Sequence, residues 1–157
     1  MKRDFYSDSI SNFIKSSPDE IYGTISKSSR FSDELEQKDS WSEEIKILKE
    51  TLRNFEGKIF FEYSIPRMGE RADVVLIIQH AVFVLEFKVG LTKFLPADIE
   101  QVFNYALDLK NFHETSHDCL IAPVIIPTEA KNVLTNLLLT PHNDNLLFPI
   151  STRFLKR

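Results

Sequence analysis

Ala72-Asp73-Val74-Val75-Leu76-Ile77-Ile78 and Ala81-Val82-Phe83-Val84-Leu85-Glu86-Phe87-Lys88-Val89 are separated only by Gln79-His80. Both runs are β-branched or apolar nearly throughout, as strands covered on both faces are. Three charges interrupt them. Glu86 and Lys88 stand two apart and so project from one face of their strand. Burying such charges costs roughly several kcal/mol each unless they are paired or bound to a cation. If the two runs form a hairpin with an even-numbered loop, Ile78 faces Ala81 and Asp73 faces Glu86. Directly opposed residues share a face, with Cβ atoms roughly 4.5–5.5 Å apart. Two carboxylates at that distance repel unless a divalent cation lies between them, and a slip of one residue would put Asp73 on the other face. Register and cation therefore stand or fall together.

Oxygen donors without clustered His or Cys suit a hard ion, Mg²⁺ or Mn²⁺. Lys88 beside it would orient or help deprotonate an attacking water and stabilise charge on a phosphate. Farther along, Gln101 and Tyr105 are four apart and share one face of a predicted helix.

Outward from this centre, residues 58–65 alternate as a strand, and Pro66-Arg67-Met68-Gly69-Glu70 is a turn. Ser40-Trp41-Ser42-Glu43 has the form of a capping box. The helix it opens has an apolar stripe of Trp41, Ile45, Leu48, Leu52 and Phe55, and Gly57 stops it. Glu44 is read as lying off that stripe. Ser17-Pro18-Asp19-Glu20 opens a short helix over 18–28, with another over 8–16. A helix begins near Pro96, a strand covers 120–126, a helix 128–139, and a last short strand falls within 146–151. The expectation is one domain over 1–157: a helical extension over 1–39, a core over 40–130, and a helix and strand over 131–157.

The chain has 157 residues and a net charge of −4, which does not advertise a nucleic-acid binder. The distribution is uneven: between 58 and 95, Lys58, Arg67, Arg71, Lys88 and Lys93 nearly balance Glu62, Glu70, Asp73 and Glu86. A single cysteine, Cys119, excludes an intrachain disulfide framework and a Cys-based zinc cluster. The polar start and short apolar runs give no signal peptide and no membrane span. A cytoplasmic setting is the expectation.

Asp73, Glu86-Phe87-Lys88, and Gln101 with Tyr105, in an αβββαβ order, resemble the PD-(D/E)XK (restriction endonuclease-like) nuclease superfamily, and its RecB-like branch in the Gln-x-x-x-Tyr element. The resemblance covers roughly residues 35–130. It is closer still to the N-terminal nuclease domain of bacterial nuclease–helicase proteins, through Trp41 and its helix, Phe61 to Arg67, Arg71 to Leu76, and Gln101 to His113. It implies an α/β fold with a mixed central sheet flanked by helices, and metal-dependent hydrolysis of phosphodiester bonds, DNA first. Asp73, Glu86 and the Phe87 carbonyl would hold Mg²⁺ or Mn²⁺, and Lys88 would be the catalytic lysine. Glu44 would be an additional acid. Gln101 and Tyr105 would support the site or contact the nucleic-acid backbone. Arg71, two residues from Asp73, is a candidate phosphate contact. Ala72 stands where many members have proline. The implied setting is anti-phage defence or DNA processing beside a helicase or ATPase domain. No GxxxxGK[ST] occurs here, so the chain is either part of a longer protein or a free-standing nuclease domain. Homo-oligomerisation is left open.

The alternative is a catalytically silent nucleic-acid-binding or scaffolding module of the same fold. His113-Glu114-Thr115-Ser116-His117 matches H-E-x-x-H, but a zinc site of that kind needs both His on one face of a continuing helix. Polar neighbours and an imminent strand predict that the helix ends there, leaving His113 in a favourable position against the helix dipole.

Overall fold

In the computed structural model, which describes residues 2–29, 35–131, 141–143, 145–147 and 149–151, the predicted hairpin is the centre of the sheet. Strand β3 (Arg71–Ile78) pairs antiparallel with β4 (Ala81–Lys88), with Ile78 opposite Ala81 and Val74 opposite Leu85. The predicted register holds. Strand β2 (Lys58–Ser64) lies antiparallel on the other side of β3, and β5 (Leu120–Pro127) runs parallel to β4. The parallel step is made by helix α4 (Pro96–Phe112). Short strands β6 (Pro141–Asn143), β7 (Leu146–Leu147) and β8 (Ile150–Ser151) finish that edge, where a single strand was expected. The protein is thus α/β, with a mixed open sheet flanked by helices.

Period two divides the sheet into two cores. Val74, Leu76, Leu85, Phe87, Val124 and Ile126 face helix α3 (Leu35–Thr51), which contributes Trp41, Ile45, Leu48 and Leu52. Val75, Val82, Val84, Ile121 and Ile125 face α4, which contributes Val102, Tyr105, Ala106 and Leu109. Each face buries apolar area against a helix, the main favourable term in folding.

The N-terminal region is more than a helical extension. Residues Tyr6–Ser9 form β1, an edge strand antiparallel to β2, before α1 (Ile10–Lys15) and α2 (Pro18–Ser28). A four-residue strand with only Tyr6 buried carries too little alternation to be seen in sequence. Ile10, Phe13, Ile21 and Ile25 are fully buried in the α3-side core. Helix α2 starts as predicted: Ser17 Oγ accepts from the Glu20 N–H and Glu20 returns the bond. Lys49 on α3 donates to the carbonyls of Phe13, Ile14 and Ser16, satisfying the open end of α1 and fixing α3 against it.

Two further expectations are corrected. Helix α3 begins at Leu35, so Ser40 and Ser42 lie inside it, and the Ser42 hydroxyl bonds back to the Lys38 carbonyl as a mid-helix serine can. The helix ends at Thr51, before Gly57, and leaves Phe55 exposed rather than on the buried stripe. Gly57 instead directly precedes β2, at φ 150°, where a Cβ would collide with the Ile77 carbonyl. Thr128 and Glu129 form a turn and Ala130 and Lys131 are irregular, while the rest of the expected helix over 128–139 lies outside the described residues, as does part of the C-terminal region. Among the described residues no helix is long and apolar enough to cross a membrane.

Candidate functional site

Strands β3 and β4 part company at Asp73. The ladder between them ends at Val74–Leu85, and the next bond is made by a side chain: Asp73 Oδ2 accepts from the Phe87 N–H at 2.7 Å. Beyond that point β3 continues with β2 alone, through Tyr63–Ala72 and Ser64–Arg71. The fork so formed holds the charges predicted from sequence. Glu86 lies on the α4 side of β4, in step with Val82 and Val84, and opposite the Asp73 end of the ladder.

Four carboxylates surround this fork. Glu44 and Glu86 are 2% and 5% exposed, and each has one carboxylate oxygen, Oε2, enclosed without a hydrogen-bond partner. Asp73 keeps some exposure as a residue while its carboxyl group is enclosed. Burial, reinforced by Asp73, Glu62 and Glu86, pushes the Glu44 carboxyl well above its ordinary range. Burial with Glu86 and Glu62 does the same to Asp73, although the Phe87 N–H and Lys88 pull the other way. Glu86 is pushed up to about 7, chiefly by burial, against the opposing pull of Lys88. Such shifts follow from burial and from like charges brought together.

Lys88 is drawn into this network as a cation. Its Nζ donates to Glu86 Oε1 at 3.2 Å and to Gln101 Oε1 at 3.0 Å, and stands 3.5 Å from Asp98. Burial works against the ammonium, but Glu86, Asp98 and Asp73 outweigh it and hold the pKa above its ordinary value. Lys88 is therefore charged, suited to orient a water and stabilise an anion rather than to remove a proton. The chain continues outward: Gln101 Nε2 donates to the Tyr105 hydroxyl at 2.7 Å, and that hydroxyl donates to Glu70 Oε2 at 2.7 Å. Gln101 and Tyr105 thus share a face as predicted, and the amide is oriented at both ends.

Glu44 corrects one reading. It is not off the apolar stripe; it lies three residues after Trp41 and four before Leu48, on the face α3 turns to the sheet. That spacing was visible in the sequence. Arg71 is committed to structure: its Nη1 donates to the carbonyls of Glu62 at 2.6 Å and Arg3 at 3.2 Å, and its guanidinium lies over the Phe5 ring. Through Nη1 it braces the main chain of β2 and of the opening residues. Sequence reading missed Asp98, the second anion on Lys88, and Glu62, whose Oε1 accepts from Trp41 Nε1 at 2.9 Å. Glu62 is 7% exposed and adopts φ 52° in mid-strand.

The donors fit a hard divalent cation: oxygen only, enclosed, and with lone pairs unspent on Glu44 and Glu86. Among the described residues no three carboxylate, imidazole or thiol groups converge on one point as a ligand set. Asp73, Glu86 and the Phe87 carbonyl would leave water to complete a magnesium shell, as that ion commonly retains several waters. At the H-E-x-x-H match, α4 ends at Phe112 and a single 3₁₀ turn, Glu114–Ser116, follows, so the two His share no helical face. Burial, with Arg3 and His117, lowers the His113 pKa, the opposite of what a dominant dipole interaction would do. No known protein family, curated protein or solved structure matches the chain.

Proposed function

We propose that the protein is a metal-dependent nuclease of the restriction endonuclease-like class, hydrolysing phosphodiester bonds, with DNA as the first substrate to test. The observation that supports this reading is the proximity of Asp73 and Glu86 where β3 and β4 part, with the Lys88 ammonium bonded to Glu86. A bound Mg²⁺ or Mn²⁺ would supply Lewis acidity and neutralise developing negative charge on the phosphoryl group. Asp73, Glu86 and the Phe87 carbonyl would hold it, and the charge of Glu44 would add to its attraction. Lys88, aimed by Gln101, orients the water that attacks phosphorus in line with the leaving oxygen and stabilises the anionic oxygens. Gln101 is itself fixed by Tyr105, so the catalytic ammonium is preorganised by α4.

The resemblance noted in the sequence extends the proposal to work beside a helicase or ATPase domain in anti-phage defence or DNA processing. Cleavage of single- and double-stranded DNA and RNA, with Mg²⁺ or Mn²⁺, is the test. Wild type should cut, and Lys88→Ala should reduce the rate by about 10²-fold or more, the scale seen when a transition-state-stabilising donor is removed. Absence of cleavage of every substrate with either ion would favour the silent binding module of the same fold.

A further inference from the structure

Glu62 is placed where no regular strand would put it. Around it β2 pairs with β3 through Phe61–Val74 and Tyr63–Ala72, so Glu62 lies level with Asp73, which in turn lies level with Glu86. Three adjacent strands thus carry an acid at the same height. On β2, Ile59 and Phe61 face α3, whereas Phe60 and Tyr63 face α4. Strict alternation would send Glu62 to the α4 side with Phe60. At φ 52° it turns instead toward α3, where Trp41 Nε1 donates to it and Glu44 lies close enough to feel its charge. The left-handed region is strained for a glutamate in a strand. Arg71 stabilises the turn by gripping the Glu62 carbonyl at 2.6 Å.

We infer that Glu62 is a positioning residue of the cation site, an outer-sphere acid that holds the hydrated divalent ion against Asp73 and Glu86. The inference rests on the metal-dependent reading above. It is supported by Glu44 Oε2 and Glu86 Oε2, both enclosed and without a protein partner. The hydrated ion has donors to offer those oxygens, and Glu62 supplies charge that the two inner ligands alone do not.

The test separates charge from contact. Glu62→Gln keeps an acceptor within reach of Trp41 and removes the charge. Glu62→Asp keeps the charge and shortens the reach, and aspartate tolerates the left-handed region. Mn²⁺ binding by the full chain, followed by electron paramagnetic resonance without substrate, should weaken about tenfold or more in Glu62→Gln, the scale of an outer-sphere loss. Glu62→Asp should stay closer to wild type, and Glu86→Gln should lose binding. Equal affinity in wild type and Glu62→Gln overturns the inference and leaves the nuclease reading intact. So does a folded Glu62→Asp that binds as poorly as Glu86→Gln, a result that decides the matter even if Glu62→Gln does not fold. Absence of Mn²⁺ binding by wild type overturns both readings.

Discussion

Glu86→Gln should stabilise the metal-free protein at alkaline pH, although it removes a partner from Lys88. The Glu86 carboxyl titrates at about 7 in the fold, against an ordinary 4.5. Between those values the folded chain holds a proton that the unfolded chain has released, so stability falls as pH rises through this window. The contribution is fully present below about 4.5 and gone above about 7. A displacement of this size corresponds to about 3 kcal/mol, of which roughly 2–3 kcal/mol is lost between pH 5 and pH 8. Glu44 and Asp73, raised for the same reasons, add with the same sign. Glutamine imitates the protonated acid at every pH. Urea unfolding followed by far-ultraviolet circular dichroism, in excess chelator, gives the numbers directly. Wild type should be markedly less stable at pH 8 than at pH 5. The variant should show a shallower decline and exceed wild type at pH 8 by about 2 kcal/mol. A wild-type stability flat across this range, or a variant weaker than wild type at pH 8, would show that the acids are not crowded as described.

Two other perturbations probe the supports. Tyr105→Phe removes the hydroxyl joining Gln101 to Glu70 and should lower kcat about tenfold with little change in Mn²⁺ affinity, measured by single-turnover cleavage beside metal titration. Lys49→Met leaves the Phe13, Ile14 and Ser16 carbonyls without their shared donor and should cost about 2–3 kcal/mol in urea unfolding. Its Mn²⁺ affinity should be unchanged once folded, and a loss there would mean that the N-terminal packing reaches farther than these bonds.

What could be read from sequence was whatever a period or a fixed spacing encodes. The β3–β4 register followed from a two-residue connection and an even parity, and the Gln101–Tyr105 pairing from one helical turn. Glu44 was encoded equally well by its distances from Trp41 and Leu48, yet its charge argued for the outside; only enclosure beside other acids gives a reason for it to be inside. Glu62 defeats periodicity altogether, because a single backbone torsion reverses its side of the strand and alternation has no symbol for that. Strand β1 was hidden for a different reason. Its stabilisation comes from the edge of β2 and from the N-terminal helices behind it, contacts remote in sequence that a local pattern does not contain.

The Arg71 brace couples two regions that look independent along the chain. One guanidinium joins the carbonyl of Arg3, the ring of Phe5 and the carbonyl beneath Glu62, while the Ser64 N–H also reaches back to Arg3. The opening residues therefore act as a splint on the torsion that aims an acid some sixty positions later. Trimming or retagging this end to improve expression would disturb the carboxylate cluster itself, even in a preparation whose circular dichroism spectrum looks untouched.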